Sequence, residues 1–142
     1  MKGFTLIETL IYISLFGLLL SGAVVSAYQI LDGGARMKQA LAVQEEGNFL
    51  LQKLDWEVGQ ADSASIENGA LVLQPGTIVF SELDGRMAVS RGSEEALPVT
   101  AAALAVTSTE FEVSSPGSEP VRVNATFDIE GTRFVFEKEL EN

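Results

Sequence analysis

The chain has 142 residues, with nine Lys and Arg against twenty Asp and Glu and a formal charge of −11, which leaves room for one modest folded domain once an apolar N-terminus is set aside. Its few cations form no patch, and a surface that cannot neutralise phosphates argues against direct nucleic-acid binding. It has neither cysteine nor histidine, so disulfides, the usual structural zinc sites, and nucleophile or base chemistry built on those residues are excluded.

The N-terminus reads MKGFTLIETL. From residue 9 to residue 31 there are 23 consecutive uncharged positions, mostly Leu, Ile, Val, Ala and Gly, enough at about 1.5 Å per residue to cross a hydrocarbon layer of roughly 30 Å. A secretory signal has a shorter apolar stretch, although SGAVVSA at residues 21–27 imitates its small-residue cleavage site. One carboxylate, Glu8, stands at the edge of this run. An unpaired carboxylate in hydrocarbon is costly, so an acid there reads as functional and needs a partner. Lys2 lies six residues away, the next cation is Arg36, and no cation sits four residues from Glu8. At the membrane surface, water would suffice. If the chain is cut after Gly3, Phe4 gains a positive α-amine, which supplies the missing charge in the same chain or a neighbouring one.

The stretch KGFTLIE at residues 2–8, followed at once by the long apolar run, closely resembles the N-terminus of type IV prepilins and of the pseudopilins of type II secretion and competence systems. The resemblance implies that a prepilin peptidase cuts after Gly3 and methylates the Phe4 amine, using S-adenosylmethionine, and that Glu8 pairs with the Phe4 amine of an adjacent subunit. Glycine before the cut lets a protease approach the backbone closely. In a low dielectric, the cost of leaving either charge unpaired enforces register. The resemblance further implies a structural subunit and not an enzyme, with no cofactor of its own. Its partners would be other pilin or pseudopilin subunits bound through the N-terminal helix, the prepilin peptidase, and an assembly platform membrane protein with its ATPase machinery. A single-pass precursor in the cytoplasmic membrane would become part of an extracytoplasmic filament.

After the apolar run, Asp32-Gly33-Gly34 leads into an amphipathic stretch in which Met37, Leu41, Leu51, Leu54 and Val58 fall near one face, with Gln44 and Asn48 interrupting its middle. That spacing predicts a helix from about residue 4 to about residue 61 that packs on a sheet. The glycine pair, costing roughly 1 kcal/mol each, predicts a bend there, or a loop between an anchor and a separate helix. The helix end, LLQKLDWEVGQADS, also resembles J-type minor pseudopilins and W-type minor pilins.

From residue 65 onward, short β-branched and aromatic runs are separated by Asn68-Gly69, Pro75-Gly76 and Asp84-Gly85, the pattern of a hairpin meander. Residues 99–107 suit a helix or a strand equally. VRVNATFDIE and TRFVFEKEL predict a hairpin turning at Gly131-Thr132, with Val121, Val123, Ala125, Phe127, Ile129, Phe134 and Phe136 facing a core. Asp84, Glu94 and Glu95 lack the spacing of a calcium loop, and no metal site is assigned to them.

The expected fold is therefore α+β, a pilin-like lollipop with a long N-terminal helix packed on a C-terminal antiparallel β-sheet domain. Its expected parts are a leader at 1–3, a transmembrane and filament-core helix at 4–31, an amphipathic helix half at 32–62, and an extracytoplasmic β-rich domain at 63–142. The competing reading is a single-pass anchored binding module that never enters a filament. It would need neither Gly3 nor Glu8.

Overall fold

The computed structural model describes residues 5–114 and 120–140. It is an α+β fold in which one long helix, α1 (Leu6–Val58), precedes eight strands. Two units divide the chain, residues 1–41 and 42–142.

In the first unit α1 is an exposed apolar rod. Leu10, Ile11, Phe16, Leu19, Val25 and Ile30 all face outward. The helix continues without a break through Gly33-Gly34, so the glycine pair forms no loop. A β-carbon at either glycine would meet nothing within 4 Å. An i,i+4 ion pair between Asp32 and Arg36, 2.8 Å apart, spans the two glycines. The acid lies N-terminal to the base, the favourable order on a helix.

In the second unit the last turns of α1 bury Val43, Gly47, Leu50, Leu54, Glu57 and Val58. The core line thus keeps Leu54 and Val58 of the expected stripe. It passes through Val43, Gly47 and Leu50, while Met37 and Leu41 are exposed and Leu51 is half-buried. Gln44 and Asn48 face solvent. They do not interrupt the stripe, because the buried face lies one position to the side.

The helix packs on antiparallel sheets. The first sheet contains β1 (Ser63–Glu67), β2 (Ala70–Gln74), β3 (Ile78–Leu83), β4 (Arg86–Arg91) and the short β5 (Leu97–Pro98), in chain order. The second contains β6 (Val106–Ser114), β7 (Arg122–Ile129) and β8 (Thr132–Glu139). Three hairpins turn on Asn68-Gly69, Asp84-Gly85 and Glu130-Gly131, with positive φ at both residues of each pair, the geometry whose twist suits adjoining strands. The last turn therefore lies one residue earlier than expected, because Thr132 already pairs with Ile129. A bulge at Ser108, with φ +54°, shifts β6 by one residue against β7 between Thr107 and Glu110.

Residues 99–105 are neither helix nor strand. Several of their backbone N–H groups find partners elsewhere in the fold: Val99 N–H donates to Met87 O, Ala101 N–H to Glu46 Oε1 at 2.6 Å, and Ala105 N–H to Glu130 Oε1 at 3.0 Å. With those partners available, the segment needs no regular element. The core lies between helix and sheets, centred on Leu50, Leu54, Leu71, Leu73, Phe80, Met87 and Phe127. Val123, Ala125, Phe127 and Ile129 of β7 and Phe134 and Phe136 of β8 all point into it. The Phe127 and Phe134 rings stack with centroids 5.6 Å apart.

Candidate processing and assembly site

Gly3 and Phe4 lie outside the described residues. Thr5 stands just before α1, and its carbonyl receives the N–H groups of Glu8 and Thr9 at 3.0 and 3.3 Å. Glu8 therefore sits in the first turn, where the unpaired N–H groups of a helix favour a negative charge. Its neighbours Ile7 and Thr9 are exposed, yet Glu8 is half-buried. Tyr12, one turn later, donates its phenol hydroxyl to Glu8 Oε1 at 3.4 Å.

The serine hydroxyls of the apolar segment turn back onto their own helix. Ser14 Oγ donates to Leu10 O, Ser21 Oγ to Leu18 O, and Ser26 Oγ to Gly22 O, at 2.8 to 2.9 Å. These three serines are the polar side chains of residues 13–27. Hydroxyls paired in this way add no unsatisfied polar group to a helix in an apolar medium. Beside Tyr12 a shallow apolar groove runs along the helix, lined by Thr9, Ile13, Phe16 and Leu19.

The second unit carries a different polar centre. Glu57 is buried at the foot of α1 and accepts from Arg91 Nη2 at 2.5 Å, with Lys53 Nζ 3.7 Å away. A cavity of about 290 Å³ adjoins it, walled by Trp56, Gln60, Leu73, Pro75 and Ile78. Lys138 of β8 donates to both the backbone oxygen and Oδ1 of Asp55, each at 2.8 Å. Arg133 pairs with Asp128 across β7 and β8, and that carboxylate's hydrogen bond and charge raise the guanidinium further above its ordinary value. Glu57 is the buried member of its ion pair with Arg91, whose side chain is half exposed. Asp84 lies in the turn before β4, while Glu94 and Glu95 follow that strand. Among the described residues no group of three or more Asp or Glu is placed to hold a metal ion.

Of the residues singled out in the sequence, Glu8 has its position described, on the first turn of α1. Sequence reasoning sought a cation for it and so passed over Tyr12. The detectable signal was a phenol four residues C-terminal to the acid. Glu57, Arg91 and Lys138 were missed because nothing local distinguishes them from other surface charges.

Residues 1–24 match the prokaryotic N-terminal methylation motif. No curated protein matches the chain, and no solved structure does. The N-terminus thus carries the type IV pilin-like signal for processing and methylation, joined to an apolar helix long enough to cross a membrane.

Proposed function

We propose that this chain is a structural subunit, a minor pilin or pseudopilin, that enters the cytoplasmic membrane as a precursor and is assembled helix to helix into a type IV pilus-like filament. In this reading residues 1–3 are a leader removed after Gly3. Phe4 is the N-methylated residue, and Glu8 forms a charge pair with the Phe4 amine of a neighbouring subunit. Residues 4–31 form the membrane and filament-core helix, 32–62 the amphipathic half, and 63–142 the extracytoplasmic part. The machinery is a prepilin peptidase, a platform membrane protein and an assembly ATPase. The filament serves secretion, DNA uptake or surface attachment and motility. The minor-subunit class rests on the helix end LLQKLDWEVGQADS and its likeness to J- and W-type subunits.

The observation that carries this reading is the methylation motif over residues 1–24, continuous with an apolar helical segment that buries none of its side chains. Such a surface must be covered by lipid or by other helices.

Intact-mass spectrometry of the protein taken from its native membrane and from sheared surface material tests it. A mass lacking residues 1–3 and carrying one extra methyl group is expected. A full-length mass in cells with an active prepilin peptidase overturns the reading in favour of an anchored binding module.

A further inference from the structure

Glu8 and Tyr12 occupy successive turns of α1, and the phenol hydroxyl of Tyr12 donates to Glu8 Oε1 at 3.4 Å. Helical side chains lean toward the N-terminus, so a tyrosine four residues beyond a carboxylate reaches back over it. The bond is longer than an ideal O–H···O contact, and it ties the Glu8 carboxylate to a side chain of its own helix. The carboxylate is also half-covered while the residues on either side of it are exposed.

A carboxylate entering an apolar layer exchanges the hydrogen bonds of water for whatever donors its surroundings provide. A lysine or arginine at residue 12 would carry a second charge into the same layer. A phenol supplies a donor without charge, and its ring is compatible with the adjoining groove of Ile13, Phe16 and Leu19. It is also present before any second subunit arrives.

We propose that Tyr12 is a positioning residue for Glu8. Its hydroxyl holds Oε1, fixing the side chain along the helix, and leaves Oε2 to accept from an incoming ammonium group. The hydrogen bond within one chain is independent of filament formation, whereas the presentation to an ammonium group rests on the assembly reading above.

The chain has two tyrosines, Tyr12 and Tyr28, so a Tyr28→Phe variant leaves Tyr12 as the sole phenol. Ultraviolet resonance Raman of that variant in lipid vesicles reads the tyrosine doublet, whose intensity ratio distinguishes a donating hydroxyl from one that does not donate. Adding Glu8→Ala is expected to shift the ratio away from the donor value. An unchanged ratio overturns the proposal.

In cells, Tyr12→Phe is expected to lower the share of the chain in sheared filaments by about three- to tenfold, the weight of roughly one ordinary hydrogen bond, since the 3.4 Å contact is too long for the full strength of a charge-assisted one. Normal incorporation of Tyr12→Phe, where Glu8→Ala is impaired, overturns the positioning role and leaves the assembly reading standing. Normal incorporation of both variants removes the charge-pair reading itself, while the Raman comparison still decides the Glu8–Tyr12 contact.

Discussion

Gly47 of α1 lies against the ring of Phe134 on β8, so close that a β-carbon at residue 47 would overlap the ring atoms. The helix and the second sheet meet through a residue with no side chain, and Phe134 fills the space a side chain would take. Gly47→Ala is therefore an overpacking change, with an expected loss of about 1–3 kcal/mol. Phe134→Leu should relieve part of it, so the double variant should lose less than the two single losses combined. Thermal unfolding of the full chain in micelles checks both statements, and a Gly47→Ala variant as stable as the parent would contradict the contact.

Glu57 is held by Arg91 and, less closely, by Lys53. Its side chain is 1% exposed, whereas that of Arg91 is 51% exposed. Removing the arginine strands a buried carboxylate with one distant cation. Arg91→Ala should cost about 1–3 kcal/mol, the penalty for leaving a buried acceptor without its donor. Glu57→Gln in the same chain should recover part of that loss, because a neutral amide is cheaper to bury. Urea unfolding of the two variants and the parent measures this.

The last turn of α1 contains no basic residue. The cation that meets its carbonyl end comes from Lys138, on a strand 83 residues away in sequence. Lys138→Met keeps the aliphatic stem and removes the donor. It should raise amide exchange through residues 55–61 and lower stability by about 1 kcal/mol, an amount typical of a cation near a helix C-terminus. Unchanged exchange would mean that the tie carries no weight.

At the N-terminus, Gly3→Leu should leave full-length precursor in the membrane, because a bulky side chain blocks close approach of a protease to the backbone. Gly3→Ala should slow cleavage or leave it nearly intact. Glu8→Ala should be cleaved normally and incorporated poorly. Immunoblots of membrane and sheared fractions separate these outcomes, and efficient cleavage of Gly3→Leu would count against the processing assignment.

Local chemistry explains what the sequence made legible. Asn68-Gly69 and Asp84-Gly85 announce their turns because both residue pairs tolerate positive φ. Glu130 is not a residue that signals such a conformation, so the third turn was read one position late. The alternation along β7 identified Val123, Ala125, Phe127 and Ile129 as core because each strand has one wet face. The buried face of the helix was harder to place. Its central position is a glycine, which carries no hydropathy signal, and it includes Glu57, an acid made tolerable by Arg91 across a long stretch of chain. Continuity through Gly33-Gly34 was also hidden, since propensity counts the glycines and not the Asp32–Arg36 pair that spans them. At the candidate site, the motif marked Glu8, but its hydrogen bond with Tyr12 emerged only when the helix placed both on successive turns.

The back-turned hydroxyls of Ser14, Ser21 and Ser26 leave residues 13–27 with no side-chain donor aimed outward. In the proposed filament, dispersion and shape would remain as the means by which that surface grips a neighbour. Side-chain ridges and grooves recur along a helix, so packing alone would separate successive registers of a neighbouring rod only weakly. A shaft of this kind needs a detent to stop it, and the polar notch formed by Glu8 and Tyr12 lies at one end of it.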